Sequence, residues 1–422
     1  MLTPEHNDLL TRVGPGTPMG EMLREYWAPV LRSQALEADG APVRVRLLGE
    51  NFVAFRSTDG RVGFFDEGCP HRCTSLALAR NEDNALTCIF HGWKIDVSGK
   101  VVEVPSEPPE RRAEFAAKVR VRHYPVREAG TLVWVYLGKR EQPPEFPRLE
   151  FTQLPASHID VHRGVVHYNW LQGLEAHIDS AHLGILHRSF ISKQTAIRGK
   201  IDDIAMAATD NGPRFELDVT PYGLREAALR QMKDGSMYAR IRDIVLPYFT
   251  FIPFNRYAPC QGRASVPIDD EWNAEFYLIY DPYKPLDPEV PAVAYAGSSG
   301  DPDNFSANLG DFDNLWHQDR RSMKEGHWSG LGRNVPFEDF TVEASMGSRL
   351  DRSREYLGSS DTIIIRARRL LLDAVRAFAE GKQVPWQSGI DFSRIRSLAI
   401  SYPASDSWRS LDTIGAYTQP EA

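Results

Sequence analysis

The sequence predicts an α+β fold in two parts, an all-β domain followed by a larger domain of mixed strands and helices, and three observations carry that prediction. From about Val43 the apolar residues recur with a period of two, in Val43-Arg-Val45-Arg-Leu47, Phe52-Val-Ala-Phe55 and Gly63-Phe-Phe65, the pattern of half-buried strands. The Pro-rich stretch Glu141-Gln-Pro-Pro-Glu-Phe-Pro147 closes that region. Beyond about residue 150, strand-like runs share the chain with a long helical pattern that opens at Asp361.

Thr3-Pro4-Glu5 has the chemistry of a helix start, and Met19 to Trp27 reads as a second, amphipathic helix, so residues 1–35 form a helical segment that packs on the larger domain. The all-β domain spans 36–150. Its turns fall at Asp59-Gly60 and Ser98-Gly99-Lys100, and Val119-Arg-Val121 and Leu132-Val-Trp-Val-Tyr136 supply its last strands. In residues 151–422, Arg214 to Val219, Met237 to Leu246 and Glu275 to Tyr280 read as strands. Asp361 caps a helix from Thr362 to about Glu380, with Gly381 just past its end.

Composition excludes several classes. A chain of 422 residues, 42% hydrophobic and 25% charged, is globular. Its net charge of −8, with no long basic run, argues against a nucleic-acid partner. No apolar stretch approaches a membrane span, and the segment from Met1 to Arg12 carries Glu5 and Asp8 and no apolar signal core, so a cytoplasmic location is expected.

Two matched clusters carry chemistry. Cys69-Pro-His71 is followed, sixteen residues on, by Cys88-Ile-Phe-His91. One cysteine and one histidine per loop suit a [2Fe–2S] centre of the Rieske type, thiolates on one iron and imidazoles on the other, whose neutral imidazoles raise the reduction potential. Clustered Cys and His also hold structural zinc, but zinc sites pair Cys with Cys and His with His along the chain. Cys73 lies four residues after Cys69 and Cys260 is remote; with four cysteines in all, a reducing compartment is expected, and Cys73 stays a thiol near the cluster.

The second constellation is Asn169-Trp170, Glu175, His177, Asp179, His182 and His187. Asp179 and His182 share a helical face, but five further residues turn an ideal helix by about 500°, so His182 and His187 splay unless the helix breaks, for which Gly184 is the candidate. Two histidines and one carboxylate make the facial triad of a non-haem iron(II) oxygenase. Downstream, Asp319 and Asp339 are both candidates for the carboxylate.

Together, Cys-Pro-His-Arg, Cys-Ile-Phe-His-Gly-Trp and Asp-x-x-His-x₄-His, in that order, resemble the oxygenase component of a Rieske non-haem iron oxygenase. Arg12-Val-Gly-Pro-Gly-Thr-Pro-Met-Gly, Val45-Arg-Leu-Leu-Gly-Glu50, Val104-Pro-Ser-Glu-Pro108, Val335-Pro-Phe-Glu-Asp339 and Asp351-Arg-Ser-Arg-Glu355 point further, to the phthalate dioxygenase type. The resemblance implies a Rieske domain, then a catalytic domain with an antiparallel sheet surrounded by helices (helix-grip, START-like). It assigns Cys69, Cys88, His71 and His91 to the cluster, and His182, His187 and Asp339 to a mononuclear Fe(II), leaving Asp319 structural. It also implies that Asp179 bridges an iron-ligand histidine to a cluster histidine of the neighbouring subunit in a homotrimer, which can stack on a second trimer. Asn169 joins Asp179 in the catalytic set, more as support than contact. O₂ is the co-substrate, and NAD(P)H electrons arrive through a separate FMN/iron–sulfur reductase, in keeping with the lack of a Gly-x-Gly-x-x-Gly fingerprint after a strand.

The resemblance departs at Cys73, where relatives commonly carry a small residue such as glycine, and after Asp339, where Phe-Thr-Val-Glu replaces a Met-rich segment. For the substrate, an arginine facing the pocket would pair with an aromatic carboxylate; Arg240 leads, with Arg242, Arg214 and Ser180 behind it. The expected reaction is cis-dihydroxylation of a phthalate isomer or a meta-substituted benzoate. The alternatives are O-demethylation of a methoxylated aromatic acid on the same scaffold, and a zinc-stabilised binding protein without turnover.

Overall fold

In the computed structural model, which describes residues 2–191, 212–253 and 259–411, the N-terminal domain is built from short antiparallel strands. Helices α1 (Pro4–Thr11) and α2 (Pro18–Leu23) come first, each capped by a threonine, Thr3 and Thr17, with proline in the first turn. The second helix stops at Leu23 rather than Trp27, because Trp27 opens strand β1 (Trp27–Arg32). β2 (Val43–Leu47), β3 (Glu50–Arg56) and β4 (Val62–Asp66) form one three-stranded sheet. β5 (Arg80–Glu82), β6 (Ala85–Thr87), β7 (Lys94–Asp96) and β8 (Val101–Glu103) form a four-stranded one.

Helix α3 (Arg112–Lys118) follows, and the strand expected at Val119–Val121 is not formed; that stretch is the irregular exit from α3. β9 (Val126–Ala129) and β10 (Leu132–Tyr136) complete the third sheet, in the order β1-β10-β9. A core of Val53, Phe55, Phe65, Leu86, Trp93 and Ile95 sits directly beneath the two Cys/His loops.

The second domain is one eight-stranded antiparallel sheet with helices against it. Its strands are β11 (Ile159–Val166), β12 (Arg214–Thr220), β13 (Gly223–Gln231), β14 (Met237–Val245), β15 (Phe249–Ile252), β16 (Cys260–Pro267), β17 (Asn273–Tyr280) and β18 (Leu398–Tyr402). The order is β11-β17-β16-β15-β14-β13-β12, and β18 pairs the first half of β14 while β15 pairs its second half. The three strands expected from sequence all lie in this sheet.

The helices are α4 (Trp170–Ile178), α5 (Leu183–Leu186), α6 (Glu289–Ala294), α7 (Arg320–Lys324), α8 (Val335–Ser345) and α9 (Thr362–Ala379). α9 ends as expected before Gly381, whose φ of +84° suits glycine. Asp361 does not cap it; its carboxylate accepts instead from the Gly358 N–H at 2.6 Å. A large core joins the parts: Trp134 of β10 stacks on Phe249 of β15 with ring centroids 5.4 Å apart, burying the N-terminal sheet against the larger one.

Candidate metal centres and cavity

The two Cys/His loops are conformational twins. In the first, the Cys73 N–H donates to the Cys69 carbonyl and the Cys69 N–H to that of Thr74; in the second, Gly92 donates to Cys88 and Cys88 to Trp93, all at 2.8 to 2.9 Å. Each loop thereby buries one thiol, with Cys69 and Cys88 nearly inaccessible, and puts the His71 and His91 rings side by side, centroids 4.5 Å apart. Trp93 stacks on His71 at 4.6 Å and is itself anchored by Ser106.

Burial pushes the Cys69 thiol up to about 11, with Cys88 adding to the rise, so this thiol does not ionise readily without a cation to hold. Burial also lowers His91, helped by His71 and Arg72, which favours the neutral imidazole a metal needs. Paired thiols and paired imidazoles on two tight turns fit a cluster with split ligation.

The twinning explains Cys73. It occupies the place of Gly92, and both have the left-handed backbone, φ +58° and +71°, while the Cys73 side chain is exposed. A side chain costs about 1 kcal/mol there. Cys73→Gly is therefore expected to stabilise the protein by about that amount in denaturant titration, with the visible spectrum of the loaded protein unchanged.

The second centre forms where α4 stops. Helix α4 ends at Ile178, not at Gly184. Asp179 turns extended, with φ −72° and ψ 118°, and its Oδ1 accepts from the Ala181 N–H at 2.6 Å, an Asx turn that ends the helix. His182 then precedes α5 and His187 follows it. This break, earlier than expected, turns the two imidazoles toward Asp339 on α8. His187 Nε2 lies 3.0 Å and His182 Nε2 3.6 Å from Asp339 Oδ1, and the three donor atoms fall within 4.8 Å of one another.

Each ring's other nitrogen meets a second carboxylate: His182 Nδ1 is 3.3 Å from Asp179 Oδ2, and His187 Nδ1 is 2.8 Å from Glu338 Oε2. A carboxylate on the far nitrogen fixes the tautomer that presents an Nε2 lone pair. Burial would lower His187, but Asp339 and Glu338 raise it to about 9. Burial would likewise raise Asp179, but His182 holds it down to about 2. Three carboxylates around two imidazoles thus retain a proton that a divalent cation displaces, and the donor set is a facial triad.

Glu338 was not picked out from the sequence, although it adjoins Asp339 and holds His187. Asp319 caps α7, accepting from the Arg321 and Ser322 N–H groups, and stands outside the triad.

The triad opens on a cavity between the sheet and its helices, walled by apolar side chains such as Leu183, Ile191, Ile252, Ile279 and Val290. Arg240 and Arg242 line it and are almost wholly buried. Arg242 lies 3.6 Å from buried Glu226 and donates to the His177 carbonyl. Arg240 donates to the Pro253 carbonyl at 2.6 Å, among the described residues no carboxylate forms an ion pair with it, and burial pushes its guanidinium down to about 10. Arg214 does not reach the cavity; it is exposed on the edge strand β12, paired with Glu216.

Ser180 is buried with its hydroxyl 3.4 Å from Glu226. Asn169 faces away: it caps α4, and its amide donates to the Thr11 and Asp270 carbonyls, a structural role.

Comparison with known proteins agrees with this geometry. Residues 26–125 match the Rieske [2Fe-2S] domain model and residues 135–421 the model described as LigXa C-terminal domain like. The phthalate 4,5-dioxygenase oxygenase subunit of Pseudomonas putida is 39% identical over 90% of this chain and 88% of its own length. The 3-chlorobenzoate-3,4-dioxygenase oxygenase subunit of Comamonas testosteroni is 38% identical over 92% of both. Among solved structures, the QL mutant of NdmA from Pseudomonas putida CBB5 with theobromine superposes with a TM-score of 0.61 over 93% of this chain and 99% of that one, at 18% identity, a likeness of fold.

Proposed function

Because the chain belongs to the Rieske non-haem iron oxygenases as an oxygenase component, we propose that it cis-dihydroxylates an aromatic carboxylate whose acid group is held by Arg240. The enzyme carries a Rieske [2Fe–2S] cluster and a mononuclear iron, which together supply one-electron transfer and O₂ activation, with electrons reaching it from a separate partner protein. Cys69, Cys88, His71 and His91 would hold the cluster, and His182, His187 and Asp339 the iron. Asp179 and Glu338 accept the Nδ1 protons of the two histidines and so aim their Nε2 lone pairs.

The observation that carries the substrate class is Arg240: a buried cation on the wall of the cavity that the triad opens into, with no carboxylate in an ion pair with it among the described residues. An unpaired buried charge is costly, and a ligand carboxylate supplies the missing partner. The two relatives named above act on aromatic acids, in keeping with this. Apolar walls seat the ring and keep water from the triad.

Asp179 retains a partly exposed carboxylate edge beside His182. In the proposed homotrimer that edge meets a cluster histidine of the next subunit, and a flavin reductase delivers NAD(P)H electrons to the cluster.

The test is reconstitution with a phthalate-type reductase and a panel of phthalate isomers, halobenzoates and methoxybenzoates. Oxygen uptake coupled to a cis-dihydrodiol supports the reading; formaldehyde from methoxybenzoates, with no diol from the others, replaces it with O-demethylation. Arg240→Leu is expected to raise KM for the preferred acid by about 10- to 100-fold, the scale of a lost charge-assisted pair, with a smaller change in kcat because the acid group is bound alike before and during reaction.

A further inference from the structure

The cavity that Arg240 faces has a second cationic corner, on β16. Arg263 pairs Thr250 of β15, which pairs Ile244 of β14. Opposite residues of an antiparallel ladder share a face, and alternate residues of one strand do too, so Arg263 stands on the same face as Arg242 and Arg240. Two strand spacings and the run from Ile244 back to Arg240 separate the two backbones by about 16 Å at ordinary ladder dimensions. The Arg263 guanidinium also leans away from β14, lying over the ring of Tyr277 on β17, 3.9 Å from its centroid.

Arg263 is 9% exposed, and its guanidinium donates to neutral acceptors, Gln261 Oε1 at 3.1 Å and the Gly262 carbonyl at 2.9 Å. Among the described residues no carboxylate forms an ion pair with it. Beside it, Tyr295 stacks on His162, ring centroids 4.0 Å apart, and His162 is the ladder partner of Tyr277. The Tyr295 hydroxyl is buried with no hydrogen-bond partner among the described residues. Gln261, Arg263 and Tyr295 all line the cavity. One anion would supply both a counter-charge for the buried guanidinium and an acceptor for the buried hydroxyl.

We propose that Arg263, with the Tyr295 hydroxyl and Gln261, forms a second anion subsite, and that the substrate is a benzene dicarboxylate whose two acid groups lie across the ring, one on Arg240 and one on Arg263. This rests on the aromatic-acid reading above and narrows it. Carboxylates on adjacent ring carbons point to one side and reach one arginine; groups in 1,3 or 1,4 relation reach both.

The test is calorimetric binding of benzoate and of the 1,2-, 1,3- and 1,4-benzenedicarboxylates to the metal-loaded protein, wild type and variants. The 1,3- or 1,4-isomer is expected to bind at least about tenfold more tightly than benzoate or the 1,2-isomer, the scale of one added charge-assisted pair. That preference is expected to fall below about threefold in Arg263→Gln and Arg263→Leu and to an intermediate value in Tyr295→Phe. A wild type that binds benzoate or the 1,2-isomer as tightly overturns the proposal, as does a preference that survives in a natively melting Arg263→Gln protein. Arg240→Leu separates the two ideas. Benzoate affinity indifferent to it refutes the aromatic-acid reading itself, whereas benzoate that needs Arg240 but gains nothing from a second carboxylate refutes only the Arg263 subsite.

Discussion

Asp179→Asn is expected to keep both metal centres and the cluster's colour and to lose turnover by about a hundredfold, the upper range for partners of metal-ligand histidines. The argument is a count of acceptors. Asp179 uses both oxygens: Oδ1 takes the Ala181 N–H at 2.6 Å, and Oδ2 faces His182 Nδ1 at 3.3 Å. An amide of the same shape has one acceptor oxygen. If that oxygen keeps the turn, the NH₂ group opposes the His182 Nδ1 proton; if it flips to serve His182, the turn that ends α4 loses its acceptor.

Either way the anion is gone, and with it the charged edge proposed to link one subunit's iron site to the next subunit's cluster. His182 keeps its place through α5 and Asp339, which is why the iron stays. Iron content, the visible spectrum and the rate at which substrate and O₂ reoxidise the reduced cluster separate the effects: normal metals with slow reoxidation support the link, and a wild-type reoxidation rate removes it.

What was legible in the sequence was local. Period-two runs at Val43–Leu47 and Phe52–Phe55, and the paired Cys/His loops, show in the chain because their cause lies within a few residues. The end of α4 was misplaced because Gly184 is a familiar breaker, while the device at work is a carboxylate two residues from the amide it binds.

The helix expected to reach Trp27 failed for a different reason. The amphipathic pattern that opens at Met19 runs on to Trp27, yet Trp27 pairs with Tyr136, more than a hundred positions away. The same distance hid what distinguishes the two cavity arginines. Arg240 and Arg242 alternate on one strand and look alike in sequence; the β13–β14 ladder brings Glu226 opposite Arg242, 3.6 Å from it, whereas among the described residues no carboxylate forms an ion pair with Arg240. Arg263 joins the cavity through the sheet order, and Tyr295 through the end of α6.

Asp339→Ala is expected to remove the mononuclear iron, leave the cluster's spectrum unchanged and drop turnover to background. The three donor atoms converge because α8 delivers the Asp339 carboxylate to a point 3.0 Å from one imidazole and 3.6 Å from the other. Two neutral imidazoles alone form an incomplete set for Fe(II), short of the one anionic ligand that offsets its charge. Glu338 cannot take over: both its oxygens are engaged, one by His187 Nδ1 and the other by the Ser329 hydroxyl, and it is fully buried on the far side of the ring.

The cluster loops rest on their own core of Phe55, Phe65, Trp93 and their neighbours, so the loss stays confined to one centre. Asp319→Ala is the matched control. It removes a helix cap at a cost of about 1 kcal/mol and should leave iron content and rate alone, since Asp319 caps α7 outside the triad. Iron analysis against the visible spectrum reads both variants: an Asp339→Ala protein that keeps its third iron, or an Asp319→Ala protein that loses it, places the carboxylate ligand elsewhere and takes the triad with it.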